Sequence, residues 1–495
     1  MLIASSQQEF ISMANGTRTD LLQNYQPGPY FCEMLGLPDH PATYTEQLRN
    51  RLSQIDIATL RARAHDADEE LLNLGITFTV YSDRMAIDRI LPFDIIPRVI
   101  SQNDWAKLER GIIQRVTALN LFLKDIYSGQ KILKDGVIPP ELVLGNENFR
   151  KEMIGLELPH GTYININGTD LLRNNDGEFM VLEDNGRCPS GVSYVIENRH
   201  LMQRAFSDML NSIGVRPVSN YGPKLLEALL QVAPPGIDNP QAVLLSAGTY
   251  NSAFFEHVFL SREMGIPLVE GRDLVVMDDH VYMKTITGLQ PVHVIYRRID
   301  DAFLDPDVYN PDSVLGVAGI VKAYQAGNVT LANAIGTGVA DDKAVYAYVP
   351  RIIKYYLDED AILPNVETHI CREKQDLDYT LDHLKELVIK PVGESGGYGI
   401  TVGPKASRKQ LAECKAQLKA KPENFISQPM IQLSVSPTLV NGKIEPRHVD
   451  LRPYAVTGES TWVLPGGLTR VALPKGSIVV NSSQGGGSKD TWVLE

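Results

Sequence analysis

The period of apolar positions changes along the chain. From about Tyr44 to Ile132 apolar residues recur at helical spacing, in TEQLRNRLSQIDIATLRARAHDADEELLNLG and in DWAKLERGIIQRVTALNLFLKDIYSG, so the first third is expected to be mostly helical. The period then shortens to two. YININGTDLLR and EFMVLED are rich in β-formers and are joined through Asn175-Asp176-Gly177, a hairpin-turn sequence. A helix, VSYVIENRHLMQRAFSDML, follows the break at Pro189-Ser190-Gly191. Between Gln241 and Arg298 a strand (AVLLS), a helix (SAFFEHVFLSREMG), strands around PLVEGRDLVV and VYMKT, and a strand (VHVIYRR) predict a small α/β unit. The Pro/Gly linker VAPPGIDNPQ precedes it. Further on, DDKAVYAYVPRIIKYYL reads as helix and LVIKPVGESGGYGITVGP as strand, glycine loop and strand. A charged helix then runs to Lys421, FISQPMIQL is a short strand, and strands alternate with glycine turns to the end.

A chain of 495 residues exceeds the size at which one core stops growing, so two or three lobes with chemistry in a cleft between them are expected. The net charge of −13 gives no basic face for nucleic acid, which is excluded as a partner. Cys32, Cys188, Cys371 and Cys414 are dispersed and form no Cys-x-x-Cys pair, so neither a zinc site nor a disulfide framework is indicated. The N-terminal residues lack a basic region followed by an apolar one, and no stretch approaches 18 uninterrupted apolar residues. A cytoplasmic protein without a membrane partner is the expectation.

Two local patterns carry chemistry. Leu387-Val388-Ile389-Lys390-Pro391 leads into Gly393, Gly396, Gly397 and Gly399 and then Ile400-Thr401-Val402. Glycines let backbone N–H groups approach phosphate oxygens, and a lysine at the strand end adds a point charge. No Gly-Lys-Ser/Thr closes the loop, and a strand follows it where a dinucleotide fingerprint requires a helix. A glycine-rich surface hairpin is the plain alternative. The second pattern is Asp170 and Glu183, thirteen residues apart across the predicted hairpin, with Asn185 two past Glu183 on the same strand face. Two carboxylates and an amide oxygen suit Mg²⁺, which shares its shell with nucleotide phosphates; taken alone, such residues serve equally well as turn formers. The two patterns complement each other, since a triphosphate cradle needs a cation and a magnesium site needs phosphates.

With these residues in place the sequence resembles the ATP-grasp superfamily, and within it the circularly permuted type 2 family, often labelled glutathionylspermidine synthase-like. Asp342-Lys343 resembles the lysine-bearing helix, VIKPVGESGGYGI the lysine strand with its loop, FISQPM the hinge, and Asp450-Leu451-Arg452 the Asp-x-Arg strand. The metal strands lie nearly 300 residues upstream, the order a circular permutation gives, and the family pattern VLEDN-x-R-x-PSGVSY-x-x-ENR stands at Val181 to Arg199. The resemblance implies an α/β (α+β) fold. It divides into a mostly helical N-terminal region (1–159), the metal hairpin and helix of the permuted C-lobe (160–200), a pre-ATP-grasp α/β domain (201–335), an N-lobe with the glycine loop (336–430) and the rest of the C-lobe (431–495).

It further implies that Lys343 and Lys390 hold ATP phosphates, that the Gln428 to Met430 backbone meets the adenine, and that Asp170, Glu183 and Asn185 hold Mg²⁺. Arg452 and Arg470, with Asn481 and the loop through Gly486, resemble groups that face phosphate and substrate. The hinge carries Gln428 where many members have an acid, and no amidase-type Cys/His domain precedes the synthetase. Arg187 is the cation nearest the metal strand that can stabilise charge on a transferring phosphoryl group. Cys188 beside it has no nearby histidine base and is not expected to be a nucleophile. Arg297 and Arg298 end a strand, a common ligand edge, and offer a clamp for a substrate carboxylate; a solvated charge pair is the other reading. The expected activity is ATP-dependent ligation of a small-molecule or peptide carboxylate to an amine through an acyl phosphate. Its rival is a nucleotide-binding scaffold that acts through a protein partner.

Overall fold

The computed structural model of the chain describes residues 21–82, 85–249, 251–393, 399–477, 479–480 and 485–495. The hairpin read from the sequence forms between Ile166–Arg173 and Phe179–Asn185, which pair antiparallel. Its turn is tight because the Asn174 side-chain oxygen accepts from the backbone N–H of Asp176 at 3.0 Å and of Glu178 at 2.9 Å. Gly177 takes the φ of +83° that L side chains avoid. Asp170 stands opposite Glu183, and the register slips by one residue immediately afterwards. Such a bulge twists the ladder and re-aims side chains.

This hairpin is half of a sheet ordered Thr461–Val463, Tyr454–Thr457, Ile166–Arg173, Phe179–Asn185. Backbone bridges Leu171 to Leu451, Arg452 to Leu468 and Val449 to Val471 carry it into a second sheet of Thr469–Val471, Gly487–Val493 and Phe93–Ile100. The hairpin that carries Asp170 and Glu183 and the strands around Arg452 and Arg470 are therefore joined through these bridges, although Asp170 and Arg470 are 300 residues apart.

The first third is not helical throughout. Glu46–Leu52, Ile57–Asn73 and Gln102–Ile126 are helices, but Thr77–Ser82, Met85–Ile90 and Phe93–Ile100 are strands. The segment FDIIPRVI is buried at every position and pairs parallel with the C-terminal strand. A strand covered on both faces shows no alternation, which is why periodicity hides it. The helix after it starts where Ser101 accepts from the Asp104 N–H at 3.1 Å, and it buries Trp105, Leu108, Ile112, Val116, Leu119 and Leu123 at three- and four-residue spacing.

The middle unit is a parallel sheet ordered Thr330–Ala332, Val294–Arg297, Ala242–Leu245, Leu268–Val269, with an antiparallel meander over Leu274–Val292 beside it. The glycine-loop lobe is an antiparallel sheet ordered His369–Ile370, Phe425–Pro429, Leu387–Pro391, Thr401–Val402. Two helices, Lys374–Asp382 and Arg408–Ala420, close over Leu387, Ile389, Cys414 and Leu418. DDKAVYAYVPRIIKYYL forms two helices, Lys343–Tyr346 and Val349–Leu357, because Pro350 starts the second. Among the described residues no helix is long and apolar enough to cross a membrane.

The strand Phe179–Asn185 is bolted to the long helix by a buried ion pair. Arg115 donates from Nε to both Asp184 oxygens at 2.8 and 2.7 Å and from Nη1 to the Asn365 side-chain oxygen at 2.8 Å. Arg115→Leu leaves the Asp184 carboxylate buried without its cation, so about 3–5 kcal/mol of stability should be lost. Urea unfolding of the two proteins, followed by far-UV circular dichroism, checks this through the shift in midpoint.

Candidate functional site

The three sheets face one cleft of about 800 Å³. It is lined by Asp170, Glu183, Asn185, Arg187, Lys343, Lys390, Gly393, Gln428, Met430, Arg452 and Arg470, residues from segments spread over nearly the whole chain. Lys390 ends the buried strand Leu387–Pro391, whose Val388 pairs with Gln428 of the hinge strand. Gln428 lines the cleft, is buried and gives its amide nitrogen to Thr368 Oγ1 at 2.9 Å. Gly399 adopts φ +70°, and a Cβ there would lie 2.8 Å from the Pro391 ring, so only glycine lets the loop return across the lysine strand. Gly396 and Gly397 lie outside the described residues, as does Asn481. Gly486 is buried beside the C-terminal strand and is not part of the cleft wall.

Lys343 opens the short helix Lys343–Tyr346, capped by Asp342, whose carboxylate accepts from Ala344 N–H at 2.8 Å and Val345 N–H at 3.1 Å. That helix is tied to the metal strand through the Tyr346 hydroxyl, which donates to the Val181 carbonyl at 2.5 Å. Lysine and carboxylate walls are thus held at fixed separation by side chains outside the cleft.

Charge within the cleft is uneven. Asp170 accepts from Arg452 through Nε and, at 2.8 Å, Nη2, and from Arg470 Nη2 at 2.8 Å; Arg470 also binds Asp450 with Nε 3.0 Å from each oxygen. Although burial works the other way, the two guanidiniums hold the Asp170 carboxyl well below its ordinary range. Glu183 is pushed up, first by burial and then by the charge of Asp170, while Lys343 and Lys390 oppose the shift. Lys390 is pushed down to about 8, chiefly by burial. One carboxylate is paired with two arginines, and its cross-strand neighbour feels both that carboxylate and the lysines.

Those donors fit a hard dication. Asn185 donates its amide nitrogen to the Gly168 carbonyl at 3.0 Å, so that bond does not use its oxygen. Among the described residues no three His, Cys, Asp or Glu side chains form a ready-made cage for a metal ion.

Arg187 reaches the cleft with Nε on Asp341 at 2.9 Å and Nη1 3.5 Å from Asp300. Asp341 also accepts from the Gly186 N–H and is pushed up to about 6 by burial against the pull of Arg187. This residue went unread in the sequence. It stands two positions before Lys343, but its partners are about 155 residues away, and no local signal marks that contact.

Arg297 and Arg298, read as a candidate clamp for a substrate carboxylate, are bonded within the protein and are absent from the cleft lining. Both are buried: Arg297 donates to the carbonyls of Asn333 (2.7 Å), Ile299 (2.8 Å) and Ala334 (2.8 Å) and pairs with Asp301 at 2.7 Å. Arg298 donates to Pro189 O at 2.6 Å, Ser190 Oγ at 2.5 Å and Glu256 at 3.0 Å. They are structural braces at the ends of a parallel strand. Glu256, braced by Arg298, in turn caps the helix beginning at Val192 by accepting from the N–H groups of Gly191 (2.7 Å) and Ser193 (3.1 Å).

A lysine-bearing antiparallel sheet thus faces a carboxylate-bearing sheet across the cleft. The chain belongs to the circularly permuted ATP-grasp type 2 family, whose model it matches over residues 97–472. It is 51% identical over 475 residues to an uncharacterised protein of Synechocystis sp., covering 96% of this chain and 99% of that one. It is 40% identical over 479 residues to a Frankia alni protein provisionally named glutamate–cysteine ligase 2-3, covering 96% of this chain but only 54% of that protein. The chain thus spans about half the length of that relative. Among solved structures it shares its fold with a glutathione synthetase-like effector of Globodera pallida, at a TM-score of 0.54 and 12% identity, covering 89% of this chain and 98% of the other.

Cys188 lines the cleft, with its thiol donating weakly to the Arg297 carbonyl at 3.9 Å, and burial pushes it up from the ordinary thiol range. It should therefore be protonated at neutral pH, and at pH 7.5 iodoacetamide should modify it at least about tenfold more slowly than an unperturbed thiol. Timed alkylation followed by peptide mass spectrometry checks this.

Proposed function

We propose that this protein is a Mg²⁺-ATP-dependent ligase that activates a carboxylate as an acyl phosphate and passes it to an amine. The observation that carries this reading is the convergence of Lys343 and Lys390 with Asp170, Glu183 and Asn185 on one cleft. In the first step a carboxylate oxygen of the substrate attacks the γ-phosphorus, the bond to the β–γ bridging oxygen breaks, and ADP leaves. In the second the amine nitrogen attacks the acyl carbon, inorganic phosphate departs, and the nitrogen gives up a proton to solvent. Lys343 and Lys390 hold the phosphate oxygens, and Arg187 offsets charge on the group in transfer. Arg452 and Arg470, oriented by Asp170 and Asp450, supply positive charge at the metal strands. The hinge from Gln428 to Met430 meets the adenine with its backbone, and Gly393 with the glycine loop covers the phosphates. Mg²⁺, when bound by Glu183, Asn185 and Asp170, neutralises the terminal phosphates.

The name of the Frankia relative supports the same bond class, a carboxylate joined to an amine. Glutathione and spermidine, the pair behind the family's usual label, find no residue here that identifies a thiol or a polyamine. An intact set of lysines and metal donors weighs against a scaffold without turnover.

The test is ADP formation from Mg-ATP over pooled carboxylates and amines, with mass spectrometry of the products. Wild type should release ADP only when both pools are present, and Glu183→Gln should abolish release while keeping the fold. Equal turnover in the two proteins would remove the metal role, and no ADP under any mixture would favour the scaffold. Lys390 gives a second test. Lys390→Ala should weaken ATP more than tenfold, about 1.4 kcal/mol. Because the free ammonium titrates near 8, wild-type affinity should fall as pH rises through that value, whereas Lys390→Arg should hold its affinity flat. Calorimetry between pH 6.5 and 9.5, a range of about three units around that value, reads both.

A further inference from the structure

The cleft has a second arm beyond the phosphate lysines, built by the carboxyl edge of the middle unit's parallel sheet. The loop after Ala242–Leu245 brings Ser252 and Ala253, the end of Val294–Arg297 brings Asp300, and the segment after Thr330–Ala332 brings Asp341. Loops at the carboxyl ends of parallel strands are where such sheets place ligands. Cys188, Ser190 and Tyr194 line the same cleft.

The charges of the two arms differ. Lys343, Lys390 and Arg452 all act on Glu183, so the cations gather around the metal donors. Asp300 instead lies within the electrostatic reach of Arg187, Cys188 and Arg297. The other acids on the cleft wall are engaged. Asp170 and Asp450 are tied to arginines, Asp184 to Arg115, and Glu256 to Arg298 and a helix start. Asp341 holds Arg187 and the Gly186 N–H, and Asp342 caps the Lys343 helix. Glu183 faces the lysines. Asp300 differs in kind: its side chain is 45% exposed, and Arg187 approaches it only to 3.5 Å, a longer contact than the 2.9 Å it keeps with Asp341. Since Asp341 already balances Arg187, this group of three carries a net negative charge directed at the open arm.

We infer that this arm is the acceptor subsite and that Asp300 anchors the ammonium group of a cationic amine, which makes Asp300 a specificity-determining residue. The inference rests on the ligase reading, which requires an amine beside the activated carboxylate. It assigns the two substrates by charge: the anionic phosphates and carboxylate to the arginine and lysine end, and the cationic acceptor to the Asp300 end. Anchoring an ammonium by a half-exposed carboxylate is a charge-assisted hydrogen bond that an amide replaces poorly.

Asp300→Asn is a clean probe because asparagine caps as well as aspartate, and the Asp300 side chain accepts from the Ala302 N–H at 3.1 Å to start a helical turn. Saturation-transfer NMR on full-length protein loaded with Mg²⁺ and a non-hydrolysable ATP analogue reads binding without turnover. The probes are n-butylamine, 1,4-diaminobutane and glycinamide, with butyrate as the anionic control. The expected result is amine saturation in wild type that falls at least fivefold in Asp300→Asn, with butyrate and analogue affinity unchanged. Amines that fail to saturate the loaded wild type, or that saturate both proteins equally, overturn the assignment. So does a parallel loss of butyrate and amine signals in the variant. Failure of the ligase reading shows separately, as absent ADP release from the pooled substrates.

Discussion

Asp170 accepts from Arg452 and Arg470 together, and Arg470 passes the link to Asp450, so two buried acids cancel in one ladder against the buried Arg470 and the partly buried Arg452. Buried charge is tolerated only when paired and hydrogen-bonded, and removing one member would strand the rest. The constraint is unusual in its reach. Asp170 belongs to the upstream hairpin and the other three to the last tenth of the chain, 282 residues from Asp170 to Arg452. The sheet surface that supports the cleft therefore closes only when both ends of the permuted core have met. Lys489, which binds Asp94 and the carbonyls of Ile96 and Pro437, repeats the device where the C-terminal strand joins Phe93–Ile100.

Around that balanced ladder the site keeps groups that are not balanced. Glu183 stands beside a carboxylate of like charge, and Lys390 is buried deeply enough to be pushed down to about 8. Burial disfavours the charged form of each, and an opposite charge brought into the cleft would favour it. Sites of this kind are preorganised at the expense of ligand-free stability. The anchoring lies one layer out: Arg115 grips Asp184 on the reverse of the metal strand, and Tyr346 ties the Lys343 helix to Val181.

Local chemistry made much of this legible in advance. Asn-Asp-Gly between two β-rich runs specifies a hairpin wherever it occurs, and the Asp170, Glu183 and Asn185 face follows from alternation once the hairpin is granted. The lysine strand and hinge, Leu387–Pro391 and Phe425–Pro429, were readable for the same reason. Phe93–Ile100 was not, since its partner is the C-terminal strand and its burial on both faces removes the period. Asp341 escaped because its role consists of contacts to Gly186 and Arg187, which no spacing encodes. The permuted order itself was legible only through the family resemblance, because periodicity does not report which strands share a sheet.

Arg297 and Arg298 show what separates a ligand arginine from a brace. Both end a strand at a ligand edge, and the sequence offers no way to tell them from Arg187, which shares that neighbourhood through Asp300. The difference lies in how the donors are used. A guanidinium has five N–H donors; Arg297 directs its Nε, Nη1 and Nη2 to three backbone carbonyls and an aspartate, all within the protein. Withdrawing those donors to meet a ligand would leave buried carbonyls unsatisfied, a penalty of about 1–3 kcal/mol for each. Arg187 binds side-chain carboxylates, keeps 28% of its side chain exposed, and lines the cleft, so it can redirect a donor without stranding the backbone. Arg297, bound to carbonyls, is committed to the fold, whereas Arg187 is held by side-chain carboxylates at the cleft wall.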